Sequence, residues 1–476
     1  MNQHFNRTAR QVTIVGGGLS GAAIAYHLAR RTDPARVQIT VIEPRAVLGQ
    51  GLAYSTSDPE HRLNVPDHKM SLATDDPEDF HRWLHSPEAP ALPSGSATLR
   101  GEIFAPRAVF ATYVAARLRP YLASGQIRHV QGSAASARLD AGKLIVRTED
   151  GDEIATDQLI LSITHPAPRI PAELAALAGH PALIADAYAP GALDRIAARE
   201  RVLVLGSGLT GADVVATLAR RGHLARIDML SRHCRFSAPH GPVQAETSGD
   251  FASRPQKTAL GLLRRVRAVL RADAAAGLTW HAAFDRLRAQ GPAIWSALPL
   301  IERRRFLRHL RGLWDVHRFR IAPQTHETLQ KAIAGRRVLP LAGRIATAEA
   351  IGGQVRLGIN LRKSADRLTL EVDRIVLATG PSHSDVIARS GFLSALAALG
   401  LIRADDLGLG LATAPNGAAL TADGPADPRI LIGGPLARGT VGELMGVPEV
   451  TGWALRIADL VAGRLMQTTP ATVAAG

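Results

Sequence analysis

The chain holds a single cysteine, Cys234. One thiol excludes an internal disulfide, a Cys-x-x-Cys redox pair and a cysteine-built zinc site. With no activating partner near it in sequence, Cys234 reads as a packed side chain rather than a nucleophile. Long apolar runs are also missing: no stretch approaches eighteen consecutive apolar residues, which removes a membrane-spanning helix. Met1 to Arg10 is polar and carries no apolar leader, so a cytoplasmic, soluble protein with no membrane partner is expected. Acidic residues are in short supply, 42 against 56 Lys and Arg, for a net charge of +14. Such an excess raises nucleic acid as a partner. Here the surplus is almost all arginine in an alanine-rich chain, set on helices beside acids. A basic funnel for an anionic dinucleotide or an acidic small substrate accounts for it, and no nucleic-acid partner is expected.

Glycine is abundant, and its placement is informative. Val12-Thr13-Ile14-Val15 runs into Gly16-Gly17-Gly18-Leu19-Ser20-Gly21, and Val202-Leu203-Val204-Leu205 runs into Gly206-Ser207-Gly208-Leu209-Thr210-Gly211. Each is an apolar strand, a glycine turn and a helix start. The first glycine permits the turn, the second admits a pyrophosphate, and the third lets helix pack on strand. The phosphates then meet N–H groups at the positive helix end. Two such units imply two nucleotides, and so redox chemistry.

The next strand separates the two sites. After the first unit, Val37 to Ile42 ends at Glu43, 22 positions past Gly21. That is close to the roughly 20 expected for a carboxylate on ribose hydroxyls. A carboxylate suits the adenosine of FAD and repels a 2′-phosphate. After the second unit, Ala225 to Leu230 ends at Ser231 and Arg232 with no acid. A hydroxyl and a guanidinium suit the 2′-phosphate of NADPH, with NADH left open.

Further candidates follow along the chain. Gly51 and Asn64, in Gly49-Gln50-Gly51-Leu52 and Leu63-Asn64-Val65-Pro66, could approach the flavin chain, although an ordinary turn explains these glycines as well. Asp76-Pro77 starts one helix and Arg107 another. From Ala137 the period becomes two, with Asp150-Gly151 as a hairpin turn. Two strand exits, Asp157 to Ile163 and Asp373 to Gly380, bracket the second fingerprint. The fold expected is α/β, with two Rossmann-like dinucleotide-binding domains and a helical subdomain. The FAD domain is discontinuous (1–190 and 381–476), the NAD(P)H domain is inserted (191–245 and 336–380), and 246–335 forms the helical insertion. Near the C-terminus, Gly433-Gly434-Pro435 ends a strand and a helix follows from Glu449, which would turn N–H groups toward the flavin. Candidate pocket groups are Arg107, His240, His317 and Arg318, residue types that in such positions are more often structural than catalytic.

With the two glycine loops, Leu-Asn-Val-Pro, Ala378-Thr379-Gly380 and Gly433-Gly434-Pro435 in view, the chain resembles a bacterial FAD/NAD(P)-binding family related to two-dinucleotide-domain flavin monooxygenases. That resemblance covers nearly the whole chain. It implies FAD on Gly16–Gly21 and Glu43, and nicotinamide coenzyme on Gly206–Gly211, Ser231 and Arg232. It also implies an enzyme using O2 to hydroxylate a small anionic or N-heteroaromatic substrate, with urate as the specific example. Two departures matter. Ser162-Ile163-Thr164-His165 stands where Ala-Thr-Gly is usual, and no Phe-x-Gly-x-x-x-His-x-x-x-Trp pattern precedes the second fingerprint. Hydroxylation is therefore favoured over oxygen insertion beside a ketone. Two other readings stay open: a reductase passing electrons to a protein or quinone, and a flavin scaffold without turnover.

Overall fold

The computed structural model describes residues 9–467. Two parallel sheets organise it. The first runs, edge to edge, Ala418–Leu420, Ala426–Ile432, Gln158–Leu161, Arg10–Val15, Val37–Ile42 and Ile127–Val130. Every neighbouring pair is parallel except the first two strands. A continuous β-branched run such as Val-Thr-Ile-Val at 12–15 makes a central strand because both faces are covered, and Val12 and Ile14 are fully buried. Helices Leu19–Ala29 and Val447–Gln467 pack against each other over this sheet, so the last helix returns to the first.

The second sheet runs Arg367–Val372, Gln354–Leu361, Val338–Ile351, Ile227–Ser231, Val202–Leu205, Arg374–Leu377 and Leu183–Ile184. The long strand Val338–Ile351 is parallel to Ile227–Ser231 through its first five residues, then antiparallel to Gln354–Leu361. Val202 and Val204 enter one core layer and Leu203 the other, the alternation expected of a strand covered on both faces. A separate three-stranded antiparallel sheet, Ala134–Asp140, Lys143–Thr148 and Glu153–Thr156, turns at Gly151 with φ +94°.

Three details depart from the sequence reading. Leu183–Ile184, placed by sequence within 1–190 of the first domain, pairs with Ile375 and Val376 on the edge of the second sheet. The strand is too short for an apolar pattern to mark it. Helix Pro323–Ala334, placed within the insertion, packs on helix Leu209–Arg220 and leads into Val338, so it serves as the crossover of the second sheet. The helix expected from Asp76-Pro77 begins at Asp79 without a side-chain cap, and the Asp76 carboxylate pairs with Arg82 instead of capping it. The remaining helices from Ala259 to Arg318 enclose their own core of Leu262, Leu287, Trp295 and Leu298. Among the described residues, no helix is long and apolar enough to cross a membrane.

Candidate functional site

The two fingerprints are built alike. Gly16 has φ +97° and Gly206 φ +129°, a region that disfavours side chains, and a Cβ on either would strike a carbonyl of the neighbouring strand exit, Ser162 or Ala378. A Cβ on Gly21 would lie 1.9 Å from the Gly16 oxygen, and on Gly211 2.4 Å from the Gly206 oxygen. The helices Leu19–Ala29 and Leu209–Arg220 both open on a glycine, without a side-chain cap and without an acid in the first turn. Their leading N–H groups are thus left for an anion.

The surroundings then diverge. In the first unit Glu43 is 4% exposed, and its Oε2 accepts the Gly17 N–H at 2.8 Å. Its other oxygen meets Arg45 at 3.0 Å. Gly51, at φ +48°, rests on Gly18, and a side chain on either would meet the other's Cα near 3 Å. Gly434 sits against Ser20: its Cβ would come 2.9 Å from the hydroxyl. The sequence-marked Gly16, Gly18, Leu19, Ser20, Gly21, Glu43, Gly51 and Gly434 are therefore one neighbourhood, with a carboxylate at its rim.

In the second unit a Cβ on Gly208 would meet nothing within 4 Å. Ser207 donates to the Arg235 carbonyl at 2.7 Å and lies 2.7 Å from the Ser231 hydroxyl, which accepts the Cys234 N–H at 2.9 Å. Arg232 is exposed at the strand tip. Around it stand Arg235, Arg344 and Arg362, the last 2.5 Å from the His233 ring. His233 is held below its usual pKa by slight desolvation and by the fields of Arg362, Arg235, Arg232 and Arg344. The sequence reading found Ser231 and Arg232 but missed the others. Arg235 was within reach, three residues on; Arg344 and Arg362 arrive on a distant β-hairpin. Cys234 is part-buried, and burial pushes its thiol pKa up, as befits an unreactive side chain.

A cleft of about 920 Å³ opens between the two sheets and the helical insertion. It collects Asn64, Arg107, Gly206, Gly208, Thr210, Ser231, Arg232, His240, His317, Arg318 and Gly380 from every part of the chain. Gly16 to Gly21, Glu43, Gly51, Gly211 and Gly434 lie outside its lining. The polar run Asp315 to Arg320, read in the sequence as either a solvated helix face or the floor of an anionic-substrate pocket, lines the cleft, and Lys69 and Asp285 join it unmarked by the sequence. Lys69 is exposed and makes no ion pair among the described residues. Burial holds the Asp315 carboxyl above its usual range, against the pull of Arg311.

The four candidate catalytic groups are mostly committed elsewhere. Arg107 donates to Asp213 at 2.7 Å and to the Tyr188 hydroxyl at 3.2 Å, and Tyr188 donates to Asp213 at 2.6 Å. Arg107 and Asp213 are both buried, so this is a clamp between the helix Arg107–Ala123 and the second fingerprint's helix. Arg318 is buried between Glu443, at 2.9 Å, and Glu449, at 3.3 Å, while Arg288 also pairs with Glu449. His317 donates to the Leu313 carbonyl and stacks on Phe284. His240 donates to the Asn64 carbonyl at 3.0 Å, and burial takes its pKa down to about 4. It is therefore a neutral donor at neutral pH, not a base waiting for a proton.

Fold and paired fingerprints define the class by architecture: a chain with two dinucleotide-binding folds, each opening a helix on a glycine turn. The comparisons agree. Residues 13–166 match the model of an FAD-NAD(P)-binding family, and residues 99–244 that of L-lysine 6-monooxygenase/L-ornithine 5-monooxygenase. No curated protein sequence matches the chain. The reduced form of ornithine hydroxylase from Pseudomonas aeruginosa is similar in structure, with a TM-score of 0.62 at 16% identity over 96% of this chain and 99% of that one. L-lysine 6-monooxygenase from Pseudomonas syringae gives 0.61 at 21% identity, also over 96% and 99%. The ornithine N-hydroxylase of Kutzneria sp. 744, in a structure named for reduced FAD, NADP+ and L-ornithine, gives 0.60 at 15% identity over 97% and 100%.

Proposed function

We propose that this chain is an FAD-dependent, NADPH-consuming monooxygenase that hydroxylates a small molecule, with an amine nitrogen as the target. The observation that carries it is the pair of intact fingerprints with opposite strand ends, a buried carboxylate in one and an arginine cluster in the other. The similar structures are named for hydroxylation of ornithine and lysine, and this redirects the substrate from urate to an amine. The residues fit FAD: two adjoining glycines, Gly18 and Gly51, leave the backbone bare beside an uncapped helix end.

FAD bound there would accept hydride from the nicotinamide and, once reduced, activate O2 for transfer of one oxygen atom. The protein's share is placement. Glu43 presents a carboxylate to ribose hydroxyls, and Ser231, Arg232 and Arg235 offer a hydroxyl and two guanidinium groups to a 2′-phosphate. Asn64 and His240 occupy the cleft wall, the imidazole neutral and oriented by its bond to the Asn64 carbonyl. Lys69, without an ion pair among the described residues, would meet a substrate carboxylate, and Asp315 would face an amine, while Asp285 in the same lining is held by Arg320. The Phe284–His317 stack forms part of the cleft wall.

The test is substrate-stimulated NADPH oxidation coupled to O2 uptake, across ornithine, lysine, cadaverine and urate, with the hydroxylated product identified. Stimulation by an amine with matched product supports the reading. Oxidation that needs an added quinone or protein acceptor, with no hydroxylated product, replaces it with a reductase.

A further inference from the structure

Most of the chain's net positive charge lies on the helical insertion, away from the two fingerprints. From Arg254 to Arg311 there are thirteen Lys and Arg against three Asp and Glu, leaving +10 of the chain's +14. Two of those acids, Asp273 and Glu302, are buried, accepting hydrogen bonds from Thr247 and from the Ala259 N–H. The third, Asp285, pairs with Arg320. Helix Ala259–Ala275 exposes the stripe Leu260, Arg264, Arg267 and Arg271, and helix Leu300–His309 exposes Ile301, Arg304, Arg305 and Arg308. Of these six arginines only Arg305 has an ion pair among the described residues. None lines the cleft.

The two helices are neighbours. The Ala259 N–H reaches Glu302 at 2.8 Å, which brings Leu260, Leu300 and Ile301 to one end of the pair. Leu260 and Ile301 are each 55% exposed. A lone exposed leucine is ordinary. Three large aliphatic residues beside unpaired cations make an amphipathic interfacial face, in which cations meet lipid phosphates and aliphatic side chains reach the acyl boundary. A nucleic acid would use the cations but not the aliphatic end. Among the described residues the large exposed apolar side chains are all Val, Leu or Ile, so none of them is an aromatic suited to base stacking.

The geometry points to a peripheral docking surface on these two helices for an anionic lipid bilayer. It narrows the expectation of no membrane partner: the contact is to a surface, and no span is involved. The placement also leaves the cleft free, since the two faces share none of these residues.

Full-length protein sedimented with phosphatidylcholine vesicles, with or without phosphatidylglycerol, tests this. Binding is expected only to the anionic vesicles and is expected to weaken with salt. The triple variant Arg264→Glu, Arg267→Glu, Arg271→Glu should bind about 100-fold more weakly, since each cation at such a surface contributes a factor of about five. Leu260→Ser with Ile301→Ser should lower binding several-fold at unchanged charge. Both variants should keep wild-type flavin content and NADPH oxidation, which separates lost docking from lost folding. Absence of binding at low salt, equal binding to neutral vesicles, or undiminished binding by the triple variant overturns the proposal. So does tighter retention of single-stranded RNA or polyglutamate than of anionic vesicles.

Discussion

The two fingerprint units share a strand, a turn and an uncapped helix, yet end in opposite chemistry. Glu43 is buried, bonded to the Gly17 N–H and close to one arginine; Ser231 stands among Arg232, Arg235, Arg344 and Arg362. The backbone device is generic to phosphate, and on the proposed function the strand tip is what selects the nucleotide. The equivalent helix positions differ too. His27 in the first helix is fully buried, whereas Thr217 in the second donates to Asp58 at 2.8 Å and lies 3.1 Å from the His61 ring, both in the first lobe. The first helix is thus core, and the second is also an interface.

The largest expected effect breaks the symmetry at the glycines. Gly21→Val should yield protein without flavin, because its Cβ would meet the Gly16 oxygen at 1.9 Å. Gly208→Ala should keep its flavin, since open space surrounds that position, while the KM for NADPH rises by about ten-fold or more through blocked phosphate approach. Flavin content and steady-state kinetics check both. Next is the link between the halves. Asp213→Asn leaves the Arg107 guanidinium buried and short of its counter-charge, a loss of about 3–5 kcal/mol for such pairs, visible as an earlier thermal transition.

A smaller effect sharpens the contrast in coenzyme choice. Arg232→Ala with Arg235→Ala should lower kcat/KM for NADPH by about 100-fold, at about 1.5 kcal/mol or more for each charged contact, and leave NADH nearly unchanged. The smallest concerns pH. Burial, with help from Arg31 and Arg30, holds His27 at about 4 against 6.5 in the open chain. The unfolded state therefore takes up a proton that the native state refuses. Stability should be complete above about pH 6.5 and fall as pH drops toward 4. His27→Leu should flatten that slope in denaturant titrations.

Much of the fold was legible because β-branched runs and glycine turns are local signals: Val37 to Ile42, both fingerprints and the Asp150-Gly151 hairpin stand where the residues say. The short edge strand Leu183–Ile184 was not, since two residues carry no period. The candidate site was legible only in part. Glu43 and Ser231 follow from strand position, whereas Arg107 and Arg318 look available in sequence and prove to be held by Asp213, Glu443 and Glu449, partners 106 to 131 residues away. Long-range ion pairing of that kind leaves no mark in local spacing.

The central claim is that one coenzyme reduces the other inside this chain, with the second strand tip choosing the donor. The direct measurement is anaerobic titration of the FAD-loaded protein with NADPH and with NADH, read as loss of the oxidised flavin absorbance. The account predicts fast bleaching by NADPH, slower bleaching by NADH, and loss of that preference in the Arg232→Ala, Arg235→Ala protein. An oxidised flavin spectrum that persists under excess NADPH would contradict it.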